Sequence, residues 1–201
     1  MKDPESPAKR LTRKLHLVGL RSRVLLGYPL ALLYLIFARP QSLELYFITV
    51  GLVFLGCGLR AWAAGYLVKR KRVAVGGPYA YVRNPLYLGS AIIAVGCGLA
   101  LWGASISWVS GLLWAGFLVV LAVIYPAKIK AEEQELVVLL NGPYEDYIRQ
   151  VPSFLPWKGR VLGLGDQSFR LQTYVANREY QCLLGSIGIL IILFARYLYG
   201  A

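Results

Sequence analysis

Acidic residues are scarce in this chain. Ten Asp and Glu stand against 22 Lys and Arg, and charged residues of both signs make up 16% of 201 residues. A water-soluble domain carries about 25%, so the chain has too little charge to cover an ordinary soluble surface. Histidine is nearly missing: His16 is the only one. A histidine-ligated zinc site and a Ser-His-Asp triad therefore lack parts, and no metal is expected. Cysteine is sparse too. Cys57, Cys97 and Cys182 lie in or beside apolar runs, form no CxxC pair and are odd in number. They read as small buried apolar side chains rather than a disulfide framework. A glycine-rich turn between a strand and a helix, the soluble dinucleotide fingerprint, is absent, as is any βαβ alternation that would carry it.

What fills the chain instead is apolar: 57% of residues are hydrophobic and the mean hydropathy is +0.54. These residues are gathered into runs, which makes the expected fold class all-α, a polytopic helical membrane protein. A bilayer core needs about 20 apolar residues per helix, fewer where flanking side chains snorkel. About five spans are expected, near residues 24–38, 43–68, 86–102, 107–126 and 180–199, forming one membrane domain over residues 24–201. Short connectors at 39–42 and 103–106 make the helices on either side antiparallel neighbours. Residues 1–10, polar with Pro4 and Pro7, read as disordered. Residues 11–23 alternate apolar and basic side chains like a segment lying on a membrane surface, so residues 1–23 form a basic interfacial N-terminal segment. No small-residue cleavage site follows it, which argues against a signal peptide.

The formal net charge of +12 fits anionic lipid head groups beside the spans better than nucleic acid, and no nucleic-acid partner is expected. Lys and Arg are unevenly placed: residues 1–23 hold seven, 69–85 five and 127–179 seven, which is 19 of 22. The positive-inside rule then puts the N-terminus and both long connectors in the cytoplasm, at a plasma or inner membrane if the cell is prokaryotic. Arg39 and Arg196 fall on the other side.

Three stretches carry chemistry. The first is Gly76–Gly89, with two prolines and three tyrosines around Arg83. Gly-Gly-Pro cannot continue a helix, and Asn84-Pro85 suits the first turn of a new one. The stretch reads as a structured loop presenting aromatic and cationic side chains at the mouth of a span. The second is Arg60, a charge inside an apolar run and so a functional candidate by default. Small residues and Trp62 surround it, and Arg60 and Trp62 are candidate substrate contacts. The third is Lys128–Leu136, a helical segment that concentrates Glu132, Glu133 and Glu135. Beyond it, aromatic and Pro-rich residues 144–157 read as interfacial.

Gly77-Pro78-Tyr79, Val82-Arg83-Asn84-Pro85, Tyr87 and Gly89 resemble the signature loop of the isoprenylcysteine carboxyl methyltransferase and phospholipid N-methyltransferase superfamily. A second block, Glu132-Glu133 with Leu136, then Gly142, Tyr147, Val151-Pro152 and Pro156, is similar to that superfamily's C-terminal signature. The likeness spans about residues 45–157. It implies an integral membrane methyltransferase using S-adenosylmethionine, with a cytoplasmic cofactor pocket. Carried over residue by residue, Arg83, Asn84, Pro85 and Tyr87 line that pocket, with Tyr79 and Tyr81 nearby. Glu132 and Glu133 match the paired glutamates that hold the cofactor, and Gly56 and Gly58 look like a Gly-x-Gly close to it. Arg83, Glu133 and Tyr87 are the candidates for the catalytic set. Asn84 stands where many carboxyl methyltransferases have His, and the phospholipid branch often has Asn. The substrate that the resemblance implies is a lipophilic molecule or lipid entering from the bilayer. Isoprenylcysteine carboxylate O-methylation is favoured, with ethanolamine-phospholipid N-methylation as the alternative. The residue chemistry agrees: an Arg fork suits a carboxylate, glutamates suit an ammonium or ribose, and tyrosine faces suit adenine or a cation. An NADPH-dependent sterol-type reductase and a non-enzymatic membrane scaffold are the remaining readings. The paired glutamates and the Arg-Asn-Pro loop argue against the reductase.

Overall fold

The computed structural model describes residues 32–68, 72–101, 107–140, 142–161 and 167–199. Among them every regular element is helical. The described part of α1 is residues 32–37, and α2 runs Leu43–Ala64. A 3-10 turn, Gly77–Ala80, leads to α3, Pro85–Leu99. Then come α4, Ser107–Val119, a π-helical turn, Val120–Ile124, and α5, Tyr125–Leu140. Gly142–Gln150 forms α6, Leu171–Ala176 forms α7 and Tyr180–Tyr199 forms α8.

Among the described residues three helices are long and apolar enough to cross a bilayer: Leu43–Ala64, the continuous run Trp108–Leu140, and Tyr180–Tyr199. The chain is thus built as an integral membrane protein. Among the described residues the expected count of five is not confirmed. Helix α3 has 15 residues, about 22 Å at 1.5 Å per residue, short of a hydrocarbon core of about 30 Å. The first expected span lies partly on residues 24–31, outside the described residues.

Two expected boundaries move. The helix through Arg60 ends at Ala64 rather than Val68, because the chain behind it is capped from elsewhere. The Asn177 amide donates to the carbonyls of Ala64 and Leu67, each at 2.9 Å, satisfying acceptors that a helix end leaves open. The Phe169 ring sits where a Cβ on Gly65 would be, 2.1 Å from that position. The helix of the fourth span does not stop at Pro126. Proline lacks the N–H that an α-helix would use there. The helix absorbs this by widening for one turn, with the Tyr125 N–H reaching back five residues to the Val120 carbonyl, and continues to Leu140.

The closest packing joins α2 to α3, antiparallel. A Cβ on Gly56 would lie 2.6 Å from the Gly89 carbonyl, and one on Gly89 would lie 2.8 Å from the Gly56 carbonyl. Only glycine on both sides lets two backbones approach so closely. Helix α8 covers the same pair from the side, with Val53, Cys57 and Leu190 forming a shared core.

The ends of the bundle are fixed by hydrogen bonds. At one end the Tyr34 hydroxyl reaches the Cys97 carbonyl at 2.9 Å, the Arg39 N–H reaches the Ala100 carbonyl at 2.9 Å, and Arg196 Nε reaches the Ala38 carbonyl at 3.0 Å. Arg39 and Arg196 thus share one end, as expected from the charge count. The 73–84 loop, α5, α6 and residues 167–179 gather at the other.

Gly56→Ala should lower thermal stability in detergent by about 1–3 kcal/mol, the usual cost of overpacking a tight contact. Gly58→Ala meets nothing within 4 Å and should leave the melting temperature unchanged or slightly raised. Equal melting of both variants would contradict the packing described.

Candidate functional site

The loop is held from both sides. Gly77 takes φ +56°, and the Tyr66 ring lies 2.5 Å from where its Cβ would be, so only glycine turns the chain here. The Tyr147 hydroxyl donates to the Tyr79 carbonyl at 2.8 Å. The N–H groups of Arg83 and Asn84 then pair with the carbonyls of Pro152 and Ser153, at 2.8 and 3.1 Å. This two-rung ladder sets Pro85, fully buried, at the first position of α3, where its missing N–H costs nothing.

Arg83 and Glu133 meet face to face. Arg83 Nε and Nη2 donate to the two oxygens of Glu133 at 2.9 and 3.1 Å, a bidentate pair whose side chains are 11% and 17% exposed. Arg83 Nη1 donates to the carbonyls of Ile148, at 3.0 Å, and Val151, at 2.5 Å. Four of its five N–H groups are thereby used. Glu133 also accepts from the amide of Asn84 at 2.9 Å and the hydroxyl of Ser153 at 3.1 Å. The Glu133 carboxylate lies beyond the apolar part of its helix, past Lys128 and Lys130. Burial alone would raise its pKa. The hydrogen bonds from Arg83, Asn84 and Ser153 outweigh burial and hold it below the ordinary carboxylate value.

Beside this pair, one face of α5 meets α3. Tyr125, Lys128 and Glu132, spaced three and four apart, all approach Tyr87. The Tyr125 ring packs edge-on with centroids 5.4 Å apart, Lys128 Nζ lies 6.0 Å from the Tyr87 ring centre, and the Tyr87 hydroxyl donates to Glu132 at 3.0 Å. Glu132 itself is exposed.

A second ionic cluster lies one helical turn into α2. Arg60 Nε and Nη2 grip Glu179 at 2.8–3.0 Å, and Nη1 donates to the Leu86 carbonyl at 3.1 Å and to Ser90 Oγ. Four residues from Ala64, Arg60 is about 6 Å from the helix end, and a carboxylate meets it there. Between the two clusters sits Tyr79, 5% exposed. Burial raises its hydroxyl pKa, and Glu132 and Glu179 raise it further against the pull of Arg60. Its hydroxyl forms no hydrogen bond among the described residues.

The structure thus brings together Tyr79, Arg83, Asn84, Pro85, Tyr87, Glu132 and Glu133, with Arg60 adjacent. Others stand apart. Gly56 is spent on the α3 contact, while Gly58 is exposed with open space around it. Tyr81 and Trp62 are exposed at 36% and 43% and join neither ionic cluster. Among the described residues no group of three or more His, Cys, Asp or Glu could hold a metal. Sequence reasoning missed Ser153, Gln167 and Glu179. Gln167 secures the strand-like approach to the loop, accepting from Val75 N–H and donating to the Val73 carbonyl. The signal for Glu179 was its place: the one acidic residue directly before the last apolar run, at the same end as Arg60.

No family model and no solved structure matches the chain. Curated proteins do. The protein-S-isoprenylcysteine O-methyltransferase of Schizosaccharomyces pombe is 32% identical over 138 residues, 65% of this chain and 56% of that protein. The methanethiol S-methyltransferase of Crocosphaera subtropica is 35% identical over 82 residues, 41% of this chain and 28% of that protein. The chain is thus similar to an isoprenylcysteine O-methyltransferase and to an S-methyltransferase, consistent with the likeness of its two motif blocks to the isoprenylcysteine carboxyl methyltransferase superfamily. The nickel-cobalt-cadmium resistance protein NccN of Alcaligenes xylosoxydans xylosoxydans is also similar, 31% identical over 100 residues, 48% of this chain and 43% of that protein. The chain spans about half the length of the curated relatives it matches, or less.

Glu133→Gln should destabilise the protein by about 3 kcal/mol, since it leaves a largely buried guanidinium without its counter-ion. The depressed folded pKa fixes the sign with pH. The contribution is full above the ordinary carboxylate value of about 4.3 and is lost as pH falls through the lower folded value. The gap in melting temperature between wild type and Glu133→Gln should be constant from pH 6 to 8 and shrink below about pH 4. A gap that widens on acidification would overturn the assignment.

Proposed function

We propose that this chain is an S-adenosylmethionine-dependent methyltransferase acting at the membrane on a lipophilic acceptor. The observation that carries the reading is the direct bonding of the two methyltransferase-like blocks. Asn84 and Arg83 of the first hold Glu133 of the second, while Tyr87 holds Glu132. Relatives named for O- and S-methylation support a methyl-transfer chemistry.

The residues fit the cationic half of the cofactor. Exposed Glu132, the Tyr87 ring and hydroxyl, and the hydroxyl of Tyr79, unbonded among the described residues, offer negative charge, a π face and an acceptor. They fit its carboxylate less directly, because Arg83 is taken by Glu133. The first turn of α3, which no side chain caps, supplies the positive end of a helix for that group. When bound, the cofactor supplies an electrophilic methyl on a sulfonium, already a good leaving group. The chain's own task is then positioning. The Arg83–Glu133 pair fixes the loop, Glu132 and the tyrosines orient the charge, and the apolar helices admit the acceptor from the bilayer while keeping water away. Holding reacting atoms near 3–3.5 Å is worth several kcal/mol. The pocket opens on the cytoplasmic side in this reading, following the charge bias of the connectors.

Isothermal titration of detergent-purified protein should show S-adenosylmethionine and its demethylated product binding. Glu132→Ala and Tyr87→Phe should each weaken that binding about tenfold, the equivalent of one lost polar contact of about 1.4 kcal/mol. A folded wild type that ignores both ligands and binds NADPH would end the methyltransferase reading.

A further inference from the structure

Both arginines that could have recognised an anionic acceptor are already occupied from within the chain. Arg83 holds Glu133 and two backbone carbonyls. Arg60 holds both oxygens of Glu179, the Leu86 carbonyl and Ser90, and the Arg60–Glu179 side chains are 20% and 12% exposed. An Arg fork offers five N–H groups in a plane, and a bidentate carboxylate is its best-matched partner. Glu179 fills that seat. It lies beyond the methyltransferase-like blocks, on the strap that leads into α8. Next to the filled seat is Tyr79, a residue 5% exposed, near enough for Arg60 and Glu179 to act on its hydroxyl, which makes no hydrogen bond among the described residues. A neutral donor-acceptor therefore lies beside an arginine whose charge Glu179 already neutralises.

We propose that Glu179 is a specificity-determining residue: by occupying Arg60 it shuts out acceptors that arrive as carboxylates and leaves the site to an uncharged, lone-pair nucleophile on an apolar tail, a thiol or an unprotonated amine. This rests on the methyltransferase reading, and it runs against the carboxylate acceptor favoured from the sequence. A carboxylate could seat on Arg60 only by displacing Glu179, which would strand a second negative charge at low exposure. An uncharged acceptor pays nothing of the kind and can share a hydrogen bond with Tyr79. The transfer balances. The acceptor's lone pair forms the new bond to the methyl carbon as that carbon's bond to the sulfonium sulfur breaks, its electron pair staying on sulfur. A thiol then gives its proton to water, and an amine keeps the positive charge as its ammonium.

The test compares an acid with its own ester on cofactor-free, full-length protein in lipid nanodiscs. Binding of N-acetyl-S-farnesylcysteine and of its methyl ester is measured by tryptophan fluorescence. Wild type should bind the ester at least tenfold more tightly than the acid. Glu179→Gln should reverse that preference by freeing the Arg60 fork. In case Glu179→Gln is poorly folded, the double variant Arg60→Leu/Glu179→Leu removes both charges together and should retain the ester preference. Turnover with labelled S-adenosylmethionine should then favour dodecanethiol or dimethyldodecylamine over the farnesylcysteine acid by at least tenfold, the two probes telling thiol from amine. Wild type that binds or methylates the acid as well as the neutral probes overturns the proposal, and so does a folded Glu179→Gln with an unchanged acid-to-ester ratio. A wild type that shows the ester preference but does not bind S-adenosylmethionine overturns the methyltransferase reading instead.

Discussion

The contact between Arg83 and Glu133 is the one on which the rest of this end of the molecule depends. It joins a loop that starts α3 to a helix that continues α4, across 50 residues of sequence. Each partner has further obligations. Arg83 also binds the carbonyls that end α6, and Glu133 also gathers Asn84 and Ser153. At low exposure an ion pair of this kind brings little net stability over a well-packed apolar pair, but breaking it is costly. Its value here is geometric. It specifies one register for the loop, for Pro85 and for α5 at once.

Arg60 and Glu179 do the same for the other two helices at that end. The strap from Gln167 to Glu179 closes over the end of α2, with Phe169 on Gly65 and Asn177 on the last carbonyls, and its last residue neutralises the charge that α2 carries one turn from its end. Four helix termini are thus tied by two ion pairs and a few side-chain caps. Among the described residues Tyr79, Tyr87 and Glu132 lie beside these ties, on elements that have little freedom to drift. That is the condition for chemistry that relies on placement rather than on a strong base.

Much of this was legible in the sequence. Apolar runs reported helical membrane architecture, and helix-breaking Gly77-Pro78 and Asn84-Pro85 reported the loop. The charge count put the described parts of 69–85 and 127–179 at one end and Arg39 and Arg196 at the other, as the hydrogen bonds do, while residues 1–23 lie outside the described residues. Less legible was anything that depends on which side chain answers which. Arg83 and Glu133 looked like opposite walls of a pocket, and they are bonded to each other. Gly56 and Gly58 looked like a matched pair, yet one is consumed by backbone packing and the other meets nothing. Two residues apart on a helix they differ by about 200° in direction, which spacing alone could have warned of. Glu179 escaped because its partner lies 119 residues away, and no local pattern links a lone carboxylate before one span to a lone guanidinium inside another.

Pro126 connects the membrane span to the chemistry. An α-helix that met this proline without adjustment would have kinked or ended. The π-turn at Val120–Ile124 instead accommodates one extra residue, which turns everything after it by about 100° relative to an uninterrupted helix. That rotation decides which face of α5 looks at α3. With it, Tyr125, Lys128 and Glu132 stand over Tyr87, and Glu133 falls beside them within reach of Arg83 and Asn84. Without it, the apolar and acidic stripes of the helix would be out of phase with the loop, and Glu132 and Glu133 could not both find their partners. The proline that seemed to mark the end of a span is therefore what aims the paired glutamates.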